Sequence, residues 1–227
     1  MRCAAIIALF AASGTIAAPS LSWKHRYTNS TTPCYGNSTV PTNTTTPSNS
    51  TIPSNTTYPI SYTGFILPTL LKNHDIPTND NALDLQTATV RNGVAETSTL
   101  YEIPVPAELA GKTCSLVIQA GHLGRGDNIL GTQAMDIFNN NIESHATLDY
   151  GNHRNKQLAR VHFDSTTGLY AFDDTVLPPL IKSFPCPAGK TLEWESVAVG
   201  DFDINVIRQD FEVDGKHIPN GLSIGYH

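Results

Sequence analysis

The residues whose types and spacing best suit chemistry are His145, Asp149 and His153, which lie four positions apart. On an α-helix this spacing would align all three on one face, where imidazole and carboxylate groups can bind a metal or transfer protons. Gly151 and Asn152 fall inside the segment, however, and both residue types disfavour a helix interior. A metal or acid/base site at these three residues is therefore not favoured.

A second pattern matches the ligand positions of a calcium-binding loop: Asp201, Asp203 and Asn205, with Glu212 at the twelfth place. Val206 stands where such a loop needs glycine for its sharp turn. The apolar residues between these acids alternate with them, as they do in a strand with one buried face. The sequence therefore predicts a strand whose acidic residues face solvent, and it predicts no metal site.

The other short motifs are weaker still. The tripeptide from Arg125 to Asp127 is of the integrin-binding type, but tripeptides often arise by chance. Trp194 is a candidate platform for stacking a ligand, although packing within the sheet is favoured because Trp194 alternates with two glutamates. The chain contains no HExxH motif, and we predict no catalytic residues, no cofactor and no enzymatic activity. Glycoside hydrolysis requires two carboxylates that can lie far apart in sequence, so a secreted hydrolase is kept as the least favoured hypothesis.

Asparagine provides the strongest motif in the chain. Residues 37–60 contain four consecutive hexapeptide copies of Asn-[Ser/Thr]-Thr-x-Pro-x. With Asn29 they form five tandem N-glycosylation acceptors, a strong signal in an exported chain. Proline at every sixth position opposes helix and central strand, and few large apolar groups are present to offset the entropy of ordering. We therefore expect a disordered, glycosylated linker whose acceptor residues are Asn29, Asn37, Asn43, Asn49 and Asn55.

The N-terminus is typical of a secretory signal peptide. Met1-Arg2 precedes the apolar run Cys3–Phe10 and a stretch of small residues, which predicts cleavage after Ala17 or Ala18. The run is too short to span a membrane. We therefore expect three parts: a signal peptide at 1–17, a Ser/Thr/Asn/Pro-rich linker at 18–60 and a folded domain at 61–227.

Charge separates the linker from the folded domain. No Asp, Glu, Lys or Arg occurs between Tyr27 and Leu71, so the remainder of the chain from position 72 carries all 20 acidic residues. The formal net charge of the chain is −6, with 14 Lys and Arg in total and no cluster of basic residues. Nucleic-acid binding is not expected, because it requires a basic patch.

The cysteines predict one internal disulfide. Cys3 is removed with the signal peptide, which leaves Cys34 in the linker and Cys114 and Cys186 in the folded domain. In an oxidising compartment the simplest pairing joins Cys114 to Cys186. Cys34 is then unpaired or forms an intermolecular bond.

Short apolar runs separated by turn signals predict an all-β fold, a single antiparallel β-sandwich-like domain. The turn signals include Asn92-Gly93, which is typical of a hairpin. The predicted strands are 65–67, 85–90, 100–105, 113–119, 134–138, 158–163, 169–172, 180–184, 191–199, 202–207 and 222–226.

Three segments resemble a known family. Residues 111–116 read GKTCSL, residues 184–191 read FPCPAGKT and residues 221–224 read GLSI. In this order they are similar to motifs of the fungal But-two C-terminal domain, the C-terminal part of ubiquitin-three-binding proteins. The resemblance covers roughly residues 61–227. It implies a secreted fungal β-rich module with its two cysteines paired, and it implies no catalytic residues.

These observations favour a secreted fungal cell-surface glycoprotein with a structural or interaction role. Association with a cell wall is a further expectation, with wall components or other extracellular proteins as partners. The alternative is a module that binds carbohydrate or a host surface, since β-sandwich folds serve many binding proteins and the fold alone does not decide.

Overall fold

The computed structural model describes residues 61–121, 126–209, 211–213, 216–218 and 220–227. The predicted signal peptide, the linker, its five acceptor asparagines and Cys34 all lie outside the described residues. Within them, the only helices are two short 3₁₀ turns, at Ala107–Leu109 and His145–Thr147. No described helix is long and apolar enough to cross a membrane.

The described residues form sixteen strands. In chain order they are β1 (Gly64–Ile66), β2 (Leu70–Asp75), β3 (Asn81–Leu83), β4 (Thr87–Arg91), β5 (Thr97–Pro104), β6 (Thr113–Gln119), β7 (Asn128–Leu130), β8 (Ala134–Asn140), β9 (Arg154–Asp164), β10 (Leu169–Phe172), β11 (Phe184–Pro185), β12 (Thr191–Ala198), β13 (Ile204–Arg208), β14 (Phe211–Val213), β15 (Lys216–Ile218) and β16 (Gly221–Tyr226).

Fourteen of these strands form one antiparallel sheet. The main order of neighbouring strands is β1-β16-β6-β10-β9-β8-β12-β5-β4-β13-β7. Three further strands lie off this path: β11 pairs with β6, β2 pairs with β5, and β3 pairs with β2. Strands β14 and β15 form a separate hairpin. The predicted all-β antiparallel class is therefore confirmed, with one continuous sheet in place of two separate ones.

Side-chain contacts join the two ends of this curled sheet. Gln209, directly after β13, donates from Nε2 to the carbonyl oxygen of Leu222 in β16 at 2.8 Å and accepts from the Leu222 amide at 3.0 Å. The hydroxyl of Tyr170 in β10 donates to Oδ1 of Asn205 in β13 across the interior at 2.8 Å. The curl thus brings β13 against β10 and β16, much as two layers meet in a sandwich.

The apolar core lies on the inner face of the curl. Its fully buried members come from strands far apart in sequence and include Leu71, Ile103, Ile137, Leu222 and Ile224. Burial of this apolar area is the main favourable contribution to folding.

The orientation predicted for β13 is wrong. Asp203 and Asn205 are completely buried, Ile204 is only half-buried and Phe202 is 73% exposed. Residues 203–206 alternate as predicted, but Asp203 and Asn205 face inward; Asp201 is exposed, as predicted. Buried hydrogen-bond partners on neighbouring elements make the polar face the inner one, and the sequence of β13 does not contain that information.

Candidate functional site

The disulfide predicted between Cys114 and Cys186 is present. It joins β6 to the residue that follows β11, where Phe184 pairs in register with Cys114. The bond links positions 72 residues apart in sequence. A crosslink of this length restricts the unfolded chain and stabilises the fold by about 4 kcal/mol in the chain-entropy model.

Trp194 belongs to the core. Its side chain is 3% exposed and its ring packs against Phe184 at a centroid distance of 6.2 Å. In this position the ring is not accessible to a ligand at the surface. Trp194 therefore packs within the sheet, and it could stack on a ligand only if the core opened.

The main concentration of buried charge lies on the opposite, outer face of the sheet. Glu102 of β5 and Glu193 of β12 pair directly in register, and Glu195 follows two positions along β12. Glu193 is 7% exposed and Glu195 is fully buried. The groups that bind these three carboxylates come from residues 141–154, which we call the cover segment.

Glu195 has the most complete set of partners. Arg154 donates from Nε to one carboxylate oxygen at 3.0 Å and from Nη2 to the other at 2.6 Å, a bidentate pair. Asn152 donates from Nδ2 at 3.0 Å. The Arg154 guanidinium also lies 5.0 Å from the ring centroid of Phe138, a cation–π contact. A buried carboxylate is tolerated here because its charge is paired and its oxygens are bonded.

Glu193 is paired with His145. Nδ1 of His145 lies 2.7 Å from Oε2 of Glu193 and 3.1 Å from the carbonyl oxygen of Tyr101, so this nitrogen must carry the proton. The His145 amide also donates to Oε2 of Glu193, at 3.1 Å. Nε2 of His145 and Oε1 of Glu193 are buried without a hydrogen-bond partner. Two polar atoms of this pair are therefore left unsatisfied by the protein itself.

Glu102 and Lys72 complete the contacts. The Ser144 hydroxyl donates to Oε2 of Glu102 at 2.6 Å. The oxygen of this hydroxyl also accepts a hydrogen bond from the Ala146 amide at 3.1 Å. Lys72 of β2, only 6% exposed, donates to the carbonyl oxygens of Ala146 and Leu148 at 3.1 and 2.9 Å. Charged groups of the sheet thus bind the cover segment along most of its length.

The candidate triad His145, Asp149 and His153 does not converge. The 3₁₀ turn ends at Thr147, so there is no α-helix to align the three residues. His145 points into the buried face, whereas the Asp149 side chain is 80% exposed and lies 3.7 Å from Lys72. Across the described residues, no group of three or more His, Cys, Asp or Glu side chains is arranged to hold a metal.

Asp203 is a structural residue of a turn. Its carboxylate accepts from the amides of Gly200 at 2.8 Å and Thr132 at 2.6 Å, and from the Thr132 hydroxyl. Its partner in the calcium pattern, Asn205, accepts from Tyr170 in the interior. Both residues are therefore occupied by contacts within the fold.

Asp127 of the integrin-type tripeptide is also internal. It is 6% exposed and accepts from the Arg208 amide at 2.8 Å and from Nδ2 of Asn220 at 3.0 Å. Arg125 lies outside the described residues. A carboxylate held in this way is not presented to a receptor.

One titratable pair lies on the exposed part of the sheet, away from the cover segment. His162 Nε2 and Asp173 Oδ2 are 3.0 Å apart. Hydrogen bonds from Thr175, followed by the one from His162, lower the pKa of Asp173 to about 2. His162 and His145 therefore have different carboxylate partners, Asp173 and Glu193.

The outer face of the sheet therefore binds the cover segment through its buried and half-buried charged groups. Sequence reasoning missed this arrangement because the carboxylates and their partners lie 41 to 48 residues apart, with no motif that links them. No family model matches the chain, and neither curated proteins nor solved structures yield a match.

Proposed function

We propose that the chain is a secreted glycoprotein with a non-catalytic structural or interaction role at the cell surface. The observation that carries this is the Cys114–Cys186 disulfide, since such bonds persist in oxidising compartments. The N-terminal segment with the features of a leader and the five tandem acceptor asparagines support the same compartment. We further propose that residues 61–227 are a fungal But-two-like module.

Expression of the full chain in a fungal host tests this proposal. We expect the protein in the medium or on the wall, with an electrophoretic mobility that increases on treatment with an N-glycosidase. A variant with all five acceptor asparagines changed to Gln should lose this response. A chain that stays in the cytosol, without glycans and with Cys114 and Cys186 reduced, would contradict the proposal.

Cys34 supplies a separate proposal, an intermolecular disulfide to another wall protein. Reductant should then extract the protein from intact walls, and Cys34→Ser should release it without reductant. If equal amounts of the protein are extracted with and without reductant, the proposed intermolecular disulfide is contradicted.

A carbohydrate- or host-binding module is the second candidate, and Tyr150 is the observation that favours it. Its ring is 67% exposed, directly before Gly151, and is available to stack on a sugar. Depletion of the protein by insoluble chitin, β-glucan or mannan measures such binding. Saturable depletion that is lost in Tyr150→Ala, but kept in the matched variant Val176→Ala, would support this function.

A further inference from the structure

An exposed apolar surface lies at one end of the sheet, remote in the chain from the cover segment. Val94 is 86% exposed, Phe202 is 73% exposed and Leu130 is 51% exposed. A Cβ added at Gly93 would lie 2.8 Å from the Phe202 ring, so the ring rests on the backbone next to Val94. Ile204 pairs in register with Leu130. We call these four residues, Val94, Leu130, Phe202 and Ile204, the Phe202 surface.

The backbone holds this surface in an unfavourable conformation. Phe202 has a φ of 62° and Ala95 a φ of 58°, in the left-handed region that bulky side chains rarely adopt. The bonds from Gly200 and Thr132 to the Asp203 carboxylate fix the turn that carries Phe202. Strain of this kind persists only where the surroundings enforce it, and it is concentrated at functional positions. An exposed aromatic side chain held in advance loses little entropy on binding.

The charges beside this surface are unpaired. Arg91 pairs in register with Ile204, and its Nε is buried without a hydrogen-bond partner. Asp201 is exposed next to Phe202. Within the part of the chain that the structure describes, neither side chain takes part in an ion pair, and the two are not paired with each other. The surface thus has an acid and a base beside its apolar centre.

The surface also lies at an edge. Strand β7, which carries Leu130, is the last strand of the main sheet path and pairs with β13 on one side. No described strand pairs with its other side. Such an edge exposes backbone groups that can pair with another chain.

We propose that the Phe202 surface is the interface of a homodimer with two-fold symmetry. Two-fold contacts use the same patch on both copies, so the patch must be self-complementary. This one is, because it holds both members of a charge pair. In the dimer, Arg91 of each copy binds Asp201 of the other, and the two apolar centres cover one another.

Sedimentation velocity of the full secreted chain carrying Cys34→Ser tests the proposal, since this background excludes a disulfide-linked dimer. We expect a concentration-dependent equilibrium between monomer and dimer. Phe202→Asn should raise the dissociation constant about tenfold or more, because it removes an aromatic anchor. Asn tolerates a positive φ, so the turn is kept. The control Leu83→Asn removes another exposed apolar side chain, 61% exposed, from β3 and should leave the constant unchanged.

Charge reversal provides an independent test. Arg91→Glu and Asp201→Arg should each weaken association, and the combined variant should restore it because the pair is then rebuilt in the opposite sense. Near-ultraviolet circular dichroism verifies folding, and Val94→Ser replaces Phe202→Asn if that variant does not fold. A chain that is monomeric at all concentrations, or a dimer that ignores these substitutions, would overturn the proposal. A monomer that binds polysaccharide through Phe202 would overturn it as well.

Discussion

Strand β12 is buried on both faces, but the two faces are stabilised in different ways. On the inner face, Trp194 packs in the apolar core and Ser196 lies 3.0 Å, oxygen to oxygen, from the Tyr101 hydroxyl. On the outer face, Glu193 and Glu195 are bonded to the cover segment. The difference shows that burial in this protein does not imply an apolar environment.

The two faces respond differently to the loss of a side chain. Apolar burial contributes in proportion to the area removed from water, so its loss is graded. A buried carboxylate costs free energy unless its charge and its oxygens are satisfied, so the removal of a single partner leaves the whole penalty in place. Single substitutions on the two faces separate these effects.

The largest effect is expected from Arg154→Ala. It leaves the fully buried Glu195 with Asn152 as its remaining side-chain partner, and breaking a buried pair in this way should lower the free energy of unfolding by about 3 kcal/mol or more. Urea denaturation measures the change.

The control removes both charges together. Arg154→Met combined with Glu195→Leu should stay within about 1 kcal/mol of the original chain, since apolar replacement of a buried ion pair is often neutral. If the double variant is as unstable as Arg154→Ala, packing by the arginine stem explains the loss, and the argument from buried charge fails.

On the inner face, Ile137→Ala tests whether the loss of stability follows the amount of apolar side chain removed. Ile137 is fully buried and pairs in register with Ser196, so its truncation should cost about 2–3 kcal/mol, and Ile137→Val about 1 kcal/mol. Both values come from the same denaturation experiment. Equal losses for the two variants would show that the core does not respond to the volume removed.

Local patterns predicted the strands that have apolar inner residues and clear turns. The bounds of β6 and β10 agree with prediction residue for residue, and β12 differs by one residue. The pairing of Cys114 with Cys186 was also predictable, because two cysteines in one folded domain leave a single choice. Strand β2 was missed because Lys72, Asn73 and His74 form a polar run that does not resemble a strand.

The environment of the polar face was not predictable in the same way. Alternation in β12 separates Trp194 from Glu193 and Glu195, but it does not indicate what covers the glutamates. Their partners, His145 and Arg154, lie between the strands predicted at 134–138 and 158–163. Long-range contacts of this kind have no local signal in a single sequence.

A smaller loss is expected from Ser144→Ala. The serine hydroxyl caps the 3₁₀ turn at the Ala146 amide and bonds Glu102, so its removal should cost about 1 kcal/mol. The backbone amide of Ala146 still reaches Glu102 at 3.3 Å, which limits the penalty. Thr147→Ala, whose hydroxyl bonds only the Ser144 carbonyl, is the matched control and should cost less. An equal or larger cost for the control would argue against the Glu102 contact as the source.

The last effect is a loss of stability that occurs only at high pH, and it concerns the inner face. Burial raises the pKa of Tyr101 from 10 to about 12, against a smaller lowering by its hydrogen bonds to Ser196 and Thr99. Because the pKa of this phenol is higher in the folded chain than in the unfolded one, its contribution is complete below pH 10 and is lost as the pH rises toward 12. Absorbance of the phenolates should show late-titrating tyrosines, since burial also raises the pKa of Tyr170, and Tyr101→Phe should remove one of them. If Tyr101 ionises together with the exposed tyrosines while the chain is still folded, water reaches the inner face, and the contrast between the two faces of β12 is smaller than the structure indicates.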